Sequence, residues 1–232
     1  MKLTKENYHS NKLNKKYMSV SLYKSFLPEY KGCEAKAMAK LNGEWQEPDK
    51  DAFLLGSYVH SWNENKMNEF LTKDPEMFKK DGTLYAKYAI GDDMINALKN
   101  DPLVQKVREG SKEIIITNEL FGIPWKAQID IYNPEDETLI DLKTTRSLFR
   151  RDYNTYTKEY ETFIKLYGYD VQMAVYAELE RLYRQGDKHF MPHILAVTKE
   201  NPPDKALINM GTDFIKYVLE SIEIKLPHII DV

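Results

Sequence analysis

Three strand-like runs separated by very short connections constrain this chain more than any other feature. "KEIIITNEL" (112–120), "IPWKAQIDIY" (123–132) and "TLIDLKTT" (138–145) are parted only by "FG" and "NPEDE". Each run is rich in β-branched and aromatic residues, which suit a pleated, half-buried surface. Connections this short close hairpins and cannot carry the crossover that parallel strands need. The three runs therefore form an antiparallel meander.

Helical patterns surround it. "SVSLYKSFL" (19–27) reads as a helix entered through a Ser cap, and the Ala-rich part of "PEYKGCEAKAMAKLNG" also favours helix. A long helix is expected from Asp51 to Leu71, where Phe53, Leu54, Val59, Trp62, Met67, Phe70 and Leu71 recur at helical spacing. "GDDMINALKNDPLVQKVREG" supplies one or two short helices, with Pro102 at a start. After the meander, "YETFIKLYGYDVQMAVYAELERLYRQG" reads as a second long amphipathic helix. "HILAVTKE" is a strand, "NPPD" a turn and "DKALINM" one more strand; "TDFIKYVLESIEIKLPHII" is a closing helix with Pro227 near its end. This order describes a mixed α/β domain, helices packed on a central sheet.

The 232 residues suffice for one large domain, or at a stretch two small ones. No apolar run approaches the ~20 residues of a membrane span. The opening "MKLTKENYHSNKLNKK" lacks the apolar core of a secretory signal, so the cytosol is the default location. The lone cysteine, Cys33, excludes a disulfide or an all-cysteine metal cluster built within one chain. A net charge of −3 argues against a surface that is one continuous DNA-binding field but leaves room for a local basic groove. Residues 1–40 carry nine Lys against three Glu, a net of +6, and residues 143–165 carry a net of +3. The plain reading of either run is a solvated face.

Side chains two apart on a strand share a face. Lys126, Gln128, Asp130 and Tyr132 are then expected on one face of the second strand, and Ala127, Ile129 and Ile131 on the other. On the third strand Asp141 and Lys143 share a face opposed by Ile140 and Leu142. Closing the meander through "NPEDE" makes Asp130 and Asp141 neighbours, with Lys143 beyond them. Two adjacent carboxylates raise each other's pKa, and a divalent cation resolves that cost. Carboxylate oxygens suit Mg²⁺ or Mn²⁺. A lysine beside them can orient a water or offset charge developing on phosphorus. Taken alone, Asp-x-Lys is far more often a surface ion pair than a catalytic pair. Gly56, His60 and Glu64 stack on one helix face, and Gln172 and Tyr176 lie one turn apart on another. Taken alone, these are a packed histidine and an amide and phenol at a core edge.

In order, Gly56/His60, "QID" with Asp130, Asp141/Lys143/Thr144 and Gln172/Tyr176 resemble the RecB-like branch of the PD-(D/E)-x-K nucleases. "SVSLYKSFL" followed by Cys33 resembles that branch's opening helix, and "LAVTKENPPDKAL" is similar to a strand of phage-encoded exonucleases of the exonuclease-eight type. The resemblance spans about residues 3–220. It implies a restriction-endonuclease-like core: a central mixed β-sheet, with the antiparallel three-strand meander, flanked by helices. One nuclease domain would fill residues 1–232, with an N-terminal helical segment (1–50), a catalytic core (51–200) and a C-terminal strand and helix (201–232).

The resemblance also implies roles. His60, Asp130, Asp141 and the backbone carbonyl of Leu142 would ligate Mg²⁺ or Mn²⁺, and Lys143 would position the attacking water. Gln172 and Tyr176 would steady the site and the DNA backbone. Glu64 and Glu119 are candidates for outer or second-metal groups. Thr144, Arg146, Arg150 and Arg151 are candidates for DNA contact. Many relatives carry Glu where this chain has Asp141, and both are accepted. Others hold an iron–sulfur cluster on four cysteines; with Cys33 alone, no cluster is expected here.

The implied activity is metal-assisted hydrolysis of DNA phosphodiesters from free duplex ends, for phage-type recombination. The implied setting is a bacterial cytoplasm, with phage or prophage origin, a single-strand annealing protein as partner, and a homo-oligomer as the working form. The alternatives are an endonuclease or single-strand nuclease of the same core, or an inactive relative that only binds DNA or protein.

Overall fold

A computed structural model describes residues 2–46 and 51–232, with the side chains of residues 51 and 52 also outside the description. The boundary drawn at residue 50 lies outside the described residues. The chain opens with a helical turn, α1 (Asn11–Asn14), then α2 (Val20–Phe26) and α3 (Glu34–Asn42). Ser19 caps α2, its side chain accepting from Leu22 N at 3.3 Å. The expected long helix is in fact two, α4 (Asp51–Asn63) and α5 (Met67–Lys73). The break falls at Asn65, whose φ of 60° is the left-handed conformation that ends helices, and asparagine tolerates it better than most residues. Helices α6 (Ile90–Lys99) and α7 (Pro102–Val107) follow, the latter capped by Asp101.

The meander forms as its short turns require: β1 (Ser111–Leu120), β2 (Ile123–Asn133) and β3 (Thr138–Thr145) are antiparallel neighbours. The next segment departs from expectation. Only Tyr169–Arg184 of the second long helix is one continuous helix. Before it lie a hairpin, β4 (Arg151–Asn154) with β5 (Glu159–Thr162), and one helical turn, α8 (Phe163–Leu166). Asn154 builds the hairpin's turn, its Oδ1 accepting from Tyr156 N and Thr157 N. Gly168, at φ 58°, redirects the chain into α9 (Tyr169–Arg184). Strand β6 (Met191–Thr198) then runs parallel to β3, β7 (Lys205–Asn209) pairs antiparallel with β6, and α10 (Asp213–Asp231) ends the chain.

The sheet order is β1-β2-β3-β6-β7, a mixed sheet with helices on both faces. One apolar cluster joins α2, α9 and α10 to the sheet through Trp125, Ala127, Ile129, Leu139 and Ile194. The other joins α4 and α6 to it through Ile131, Ile140, Leu142 and Leu195. Ile129 and Ile131 thus pack into different clusters, so the strict alternation expected along β2 breaks at Asp130. Facing Asp130 on β1 is Glu113, whose φ of 55° no regular strand accommodates. No helix among the described residues is long and apolar enough to cross a membrane.

Candidate active site

The centre of the sheet is forked. β2 and β3 pair only through Ile131–Ile140, Tyr132–Leu139 and Asn133–Thr138, whereas β3 pairs with β6 along its full length. Beyond Ile131 the two strands part, and Met18 takes the open edge of β2, exchanging backbone hydrogen bonds with Pro124 and Lys126 at 2.9 Å each. The register continued by one residue sets Asp130 opposite Asp141 in the mouth of the fork. In place of a ladder bond, Leu142 N donates to Asp130 Oδ2 at 2.7 Å. A cleft of about 1040 Å³ opens here between α4, α9, α2 and the strands.

Three ligating side chains meet on the β1–β2 side. Atoms of His60, Glu113 and Asp130 all lie within 4.8 Å of one another. His60, from α4, brings Nδ1 to 3.6 Å from Asp130 Oδ2. Gly56, one turn earlier, faces β3; a Cβ on it would stand 3.6 Å from Thr144 Oγ1, an ordinary contact. Glu113 is buried, and its pKa is pushed up to about 8, by burial first and then by the Asp130 and Glu64 charges. Asp130 is also raised above the usual carboxylate range, mainly by burial, with Asp141 adding to it and His60 and Lys143 opposing it. Buried acids held in reluctance to ionise, beside an imidazole, are a donor set for a hard divalent cation such as Mg²⁺ or Mn²⁺.

Asp141 and Lys143 form the other side. Lys143 Nζ sits 2.5 Å from Asp141 Oδ2, and Gln172, from α9, donates from Nε2 to Asp141 Oδ1 at 2.6 Å. Among the described residues, the buried Asp141 Oδ2 accepts no hydrogen bond of good geometry even so, which leaves it lone-pair capacity for a ligand. Burial alone would weaken the Lys143 ammonium, but Asp141, with Tyr169 and Asp130 adding, holds its pKa above the ordinary lysine value. The ammonium also lies 4.8 Å from the centre of the Tyr169 ring. Tyr176 is buried in the cleft wall, and burial raises its phenol well above the ordinary value.

The fork brings together Gly56, His60, Asp130, Asp141, Lys143, Thr144, Gln172 and Tyr176, all lining the cleft. Glu64 lines it too, accepting from Lys66 Nζ at 2.8 Å. Glu119 does not. It is exposed near the tip of the β1–β2 hairpin, paired with Pro124, six residues along the strand from Glu113. The acid that occupies the expected place is Glu113, and the turn could have revealed it. A two-residue connection pairs Leu120 with Ile123, and counting back from there sets Glu113 across from Asp130. Arg146, Arg150 and Arg151 also lie outside the cleft. Arg146 and Arg150 are exposed on the segment leading into β4 and Arg151 is its exposed first residue; Arg150 is paired with Asp152 at 2.8 Å. Lys24, which no motif in the sequence marks, also enters the cleft from α2, its pKa lowered to about 8 by burial first and then by Lys143.

A mixed sheet flanked by helices and forked at its centre, with paired acids, a lysine and a histidine at the fork, defines a PD-(D/E)-x-K-type nuclease fold. The chain belongs to the family described as "PDDEXK-like domain of unknown function (DUF3799)", whose profile matches residues 19–232. The crystal structure of a "Putative exonuclease" from Eubacterium rectale superposes with a TM-score of 0.90 at 35% identity, covering 99% of this chain and 86% of that one. The structure of SSO0001 gives a TM-score of only 0.34 at 15% identity, over 83% of this chain and 84% of that one, and carries no argument. No curated protein matches the chain.

Proposed function

We propose that this protein is a divalent-metal-dependent deoxyribonuclease of the RecB-like branch that digests duplex DNA from free ends. The observation that carries the reading is the fork itself, where His60, Glu113 and Asp130 converge opposite the Asp141–Lys143 pair. The four ordered motifs support the branch, and the family and its solved neighbour support nuclease chemistry. The exonuclease mode rests on the resemblance and on that neighbour's name.

His60, Glu113, Asp130, Asp141 and the Leu142 carbonyl are the groups that would hold Mg²⁺ or Mn²⁺. The bound ion would polarise the scissile phosphodiester and acidify a water. Lys143, held as a cation by Asp141, orients that water and offsets charge growing on the phosphoryl oxygens. Gln172 fixes the rotamer of Asp141, and Leu142 N fixes that of Asp130, so both carboxylates are oriented before any ligand arrives. Tyr176 closes the wall behind them.

The test is incubation with linear and with closed circular duplex DNA, with Mg²⁺ or Mn²⁺ present. Loss of linear DNA with circles intact is the expected result. Equal cutting of circles sinks the exonuclease mode, and no hydrolysis with any divalent ion sinks the enzyme. The same reading places the protein in a bacterial cytoplasm, as a homo-oligomer serving phage-type recombination with a single-strand annealing partner.

A further inference from the structure

We propose that the N-terminal segment 2–14 is a strap that positions Glu113 for cation binding, with Lys126 as its latch and Lys5 as its contact with β1. This inference rests on the metal site proposed above and says what sets one of its ligands. Glu113 needs such support. The β1–β2 register pairs Lys112 with Ile131 and Ile114 with Ile129 but skips Glu113, whose φ is 55°. A glutamate in left-handed backbone persists inside a strand only where its surroundings over-determine it. Gln128, on β2, donates from Nε2 to Glu113 Oε2 and holds the carboxylate end. The strap holds the backbone end.

Lys5 Nζ donates at 3.2 Å to Lys112 O, the carbonyl of the peptide that leads into Glu113. The strap around Lys5 is stiffened by Asn7. Thr4 N donates to Asn7 Oδ1 at 2.8 Å, and Ser10 N donates to Asn7 O at 2.9 Å. Tyr8, buried between these bonds, lines the active-site cleft. Its phenol is raised above the ordinary value by burial first and then by the Glu113 charge, so the ring stands in the field of that carboxylate.

The latch is a buried lysine. Lys126, on β2, is 1% exposed. Its Nζ donates to Tyr8 O and, at 2.8 Å, to Asn14 Oδ1, and lies 4.5 Å from the centre of the Tyr8 ring. Burial lowers its pKa to about 8, with no carboxylate among the described residues opposing the shift. A buried ammonium without a counter-charge is costly, and here oxygens of the strap are what offset it. The effect is to tie the strap to the strand that also carries Gln128 and Asp130. The strap precedes the profile match at 19–232, so the family pattern does not describe it.

Calorimetric titration of the full chain with Mn²⁺, without DNA, tests this. Removing a lysine near a cation site should, by charge alone, tighten Mn²⁺ binding. Positioning predicts the opposite sign. Lys126→Met should weaken Mn²⁺ about tenfold and Lys5→Met about threefold, at or below the range for outer contacts of metal ligands. Lys5→Arg, which can still donate to Lys112 O, should restore wild-type affinity. Limited trypsin digestion follows the strap itself, and cleavage after Lys12 should quicken roughly fivefold in Lys126→Met. Mn²⁺ binding that is unchanged or tighter in either Met variant overturns the proposal, and unquickened cleavage overturns the latch. Should Lys126→Met not fold, Lys5→Met decides alone, since it removes only an exposed contact. Wild type that binds Mn²⁺ while the variants bind as tightly removes the strap and leaves the metal site; wild type that binds no Mn²⁺ sinks both.

Discussion

The backbone N–H of Leu142 donates to Asp130 Oδ2 at 2.7 Å across the point where β2 and β3 part. One strand's carboxylate thus replaces the missing ladder partner of the other. The bond holds Asp130 in the mouth of the fork, close to His60 and opposite Asp141.

Asp130→Asn can keep an oxygen acceptor for Leu142 N while removing the charge. The metal-free variant should melt no lower than wild type, because a buried carboxylate facing Asp141 is costly. Stabilisation by Mn²⁺ should vanish, and DNA cleavage should fall on the order of a thousandfold, about 4 kcal/mol of transition-state stabilisation. Thermal melts with and without Mn²⁺, beside a cleavage assay, check both halves.

Lys143→Met leaves Asp141 buried without its counter-charge. The metal-free fold should lose on the order of 3–5 kcal/mol in denaturant unfolding. Saturating Mn²⁺ should return part of that loss, since a cation at the fork substitutes for the ammonium. Cleavage should stay abolished under both conditions.

Glu113 and Glu119 make opposite predictions. With its pKa raised to about 8, Glu113 is mostly protonated at neutral pH, so cation binding must expel a proton. Mn²⁺ affinity should therefore rise between about pH 6 and pH 8. Calorimetry in buffers of different ionisation enthalpy should detect the released proton. Glu113→Gln should remove this release and weaken binding, whereas Glu119→Gln should change neither.

Glu178 governs acid stability away from the site. Burial alone would raise its carboxyl, but hydrogen bonds from Arg181 and His189 outweigh burial and hold it at about 2, against an ordinary 4.5. A depressed folded pKa gives stability that is present above about pH 4.5 and lost as pH falls toward 2. The loss should be on the order of 3 kcal/mol in acid unfolding curves and nearly absent in Glu178→Gln.

The local features of this protein were legible in its sequence. Two short turns dictated the meander, and the pairing continued from them set Asp130 opposite Asp141. Helical spacing placed Gly56 with His60 and Gln172 with Tyr176, because each of these relations spans a few residues of regular backbone. Tertiary structure decided what depends on distant partners. The fork opens because Met18 takes the edge of β2 that β3 abandons, a contact more than a hundred residues apart in sequence. Glu113 turns into the site through a left-handed backbone that no propensity announces. Arg150 and Arg151 lie outside the cleft, where β4 begins its hairpin with β5. Lys24 reaches the fork from α2 because Gly168, 144 residues later, leaves room for it. Periodicity and turn length are properties of neighbouring residues, whereas the metal-facing geometry is made by side chains that only folding brings together.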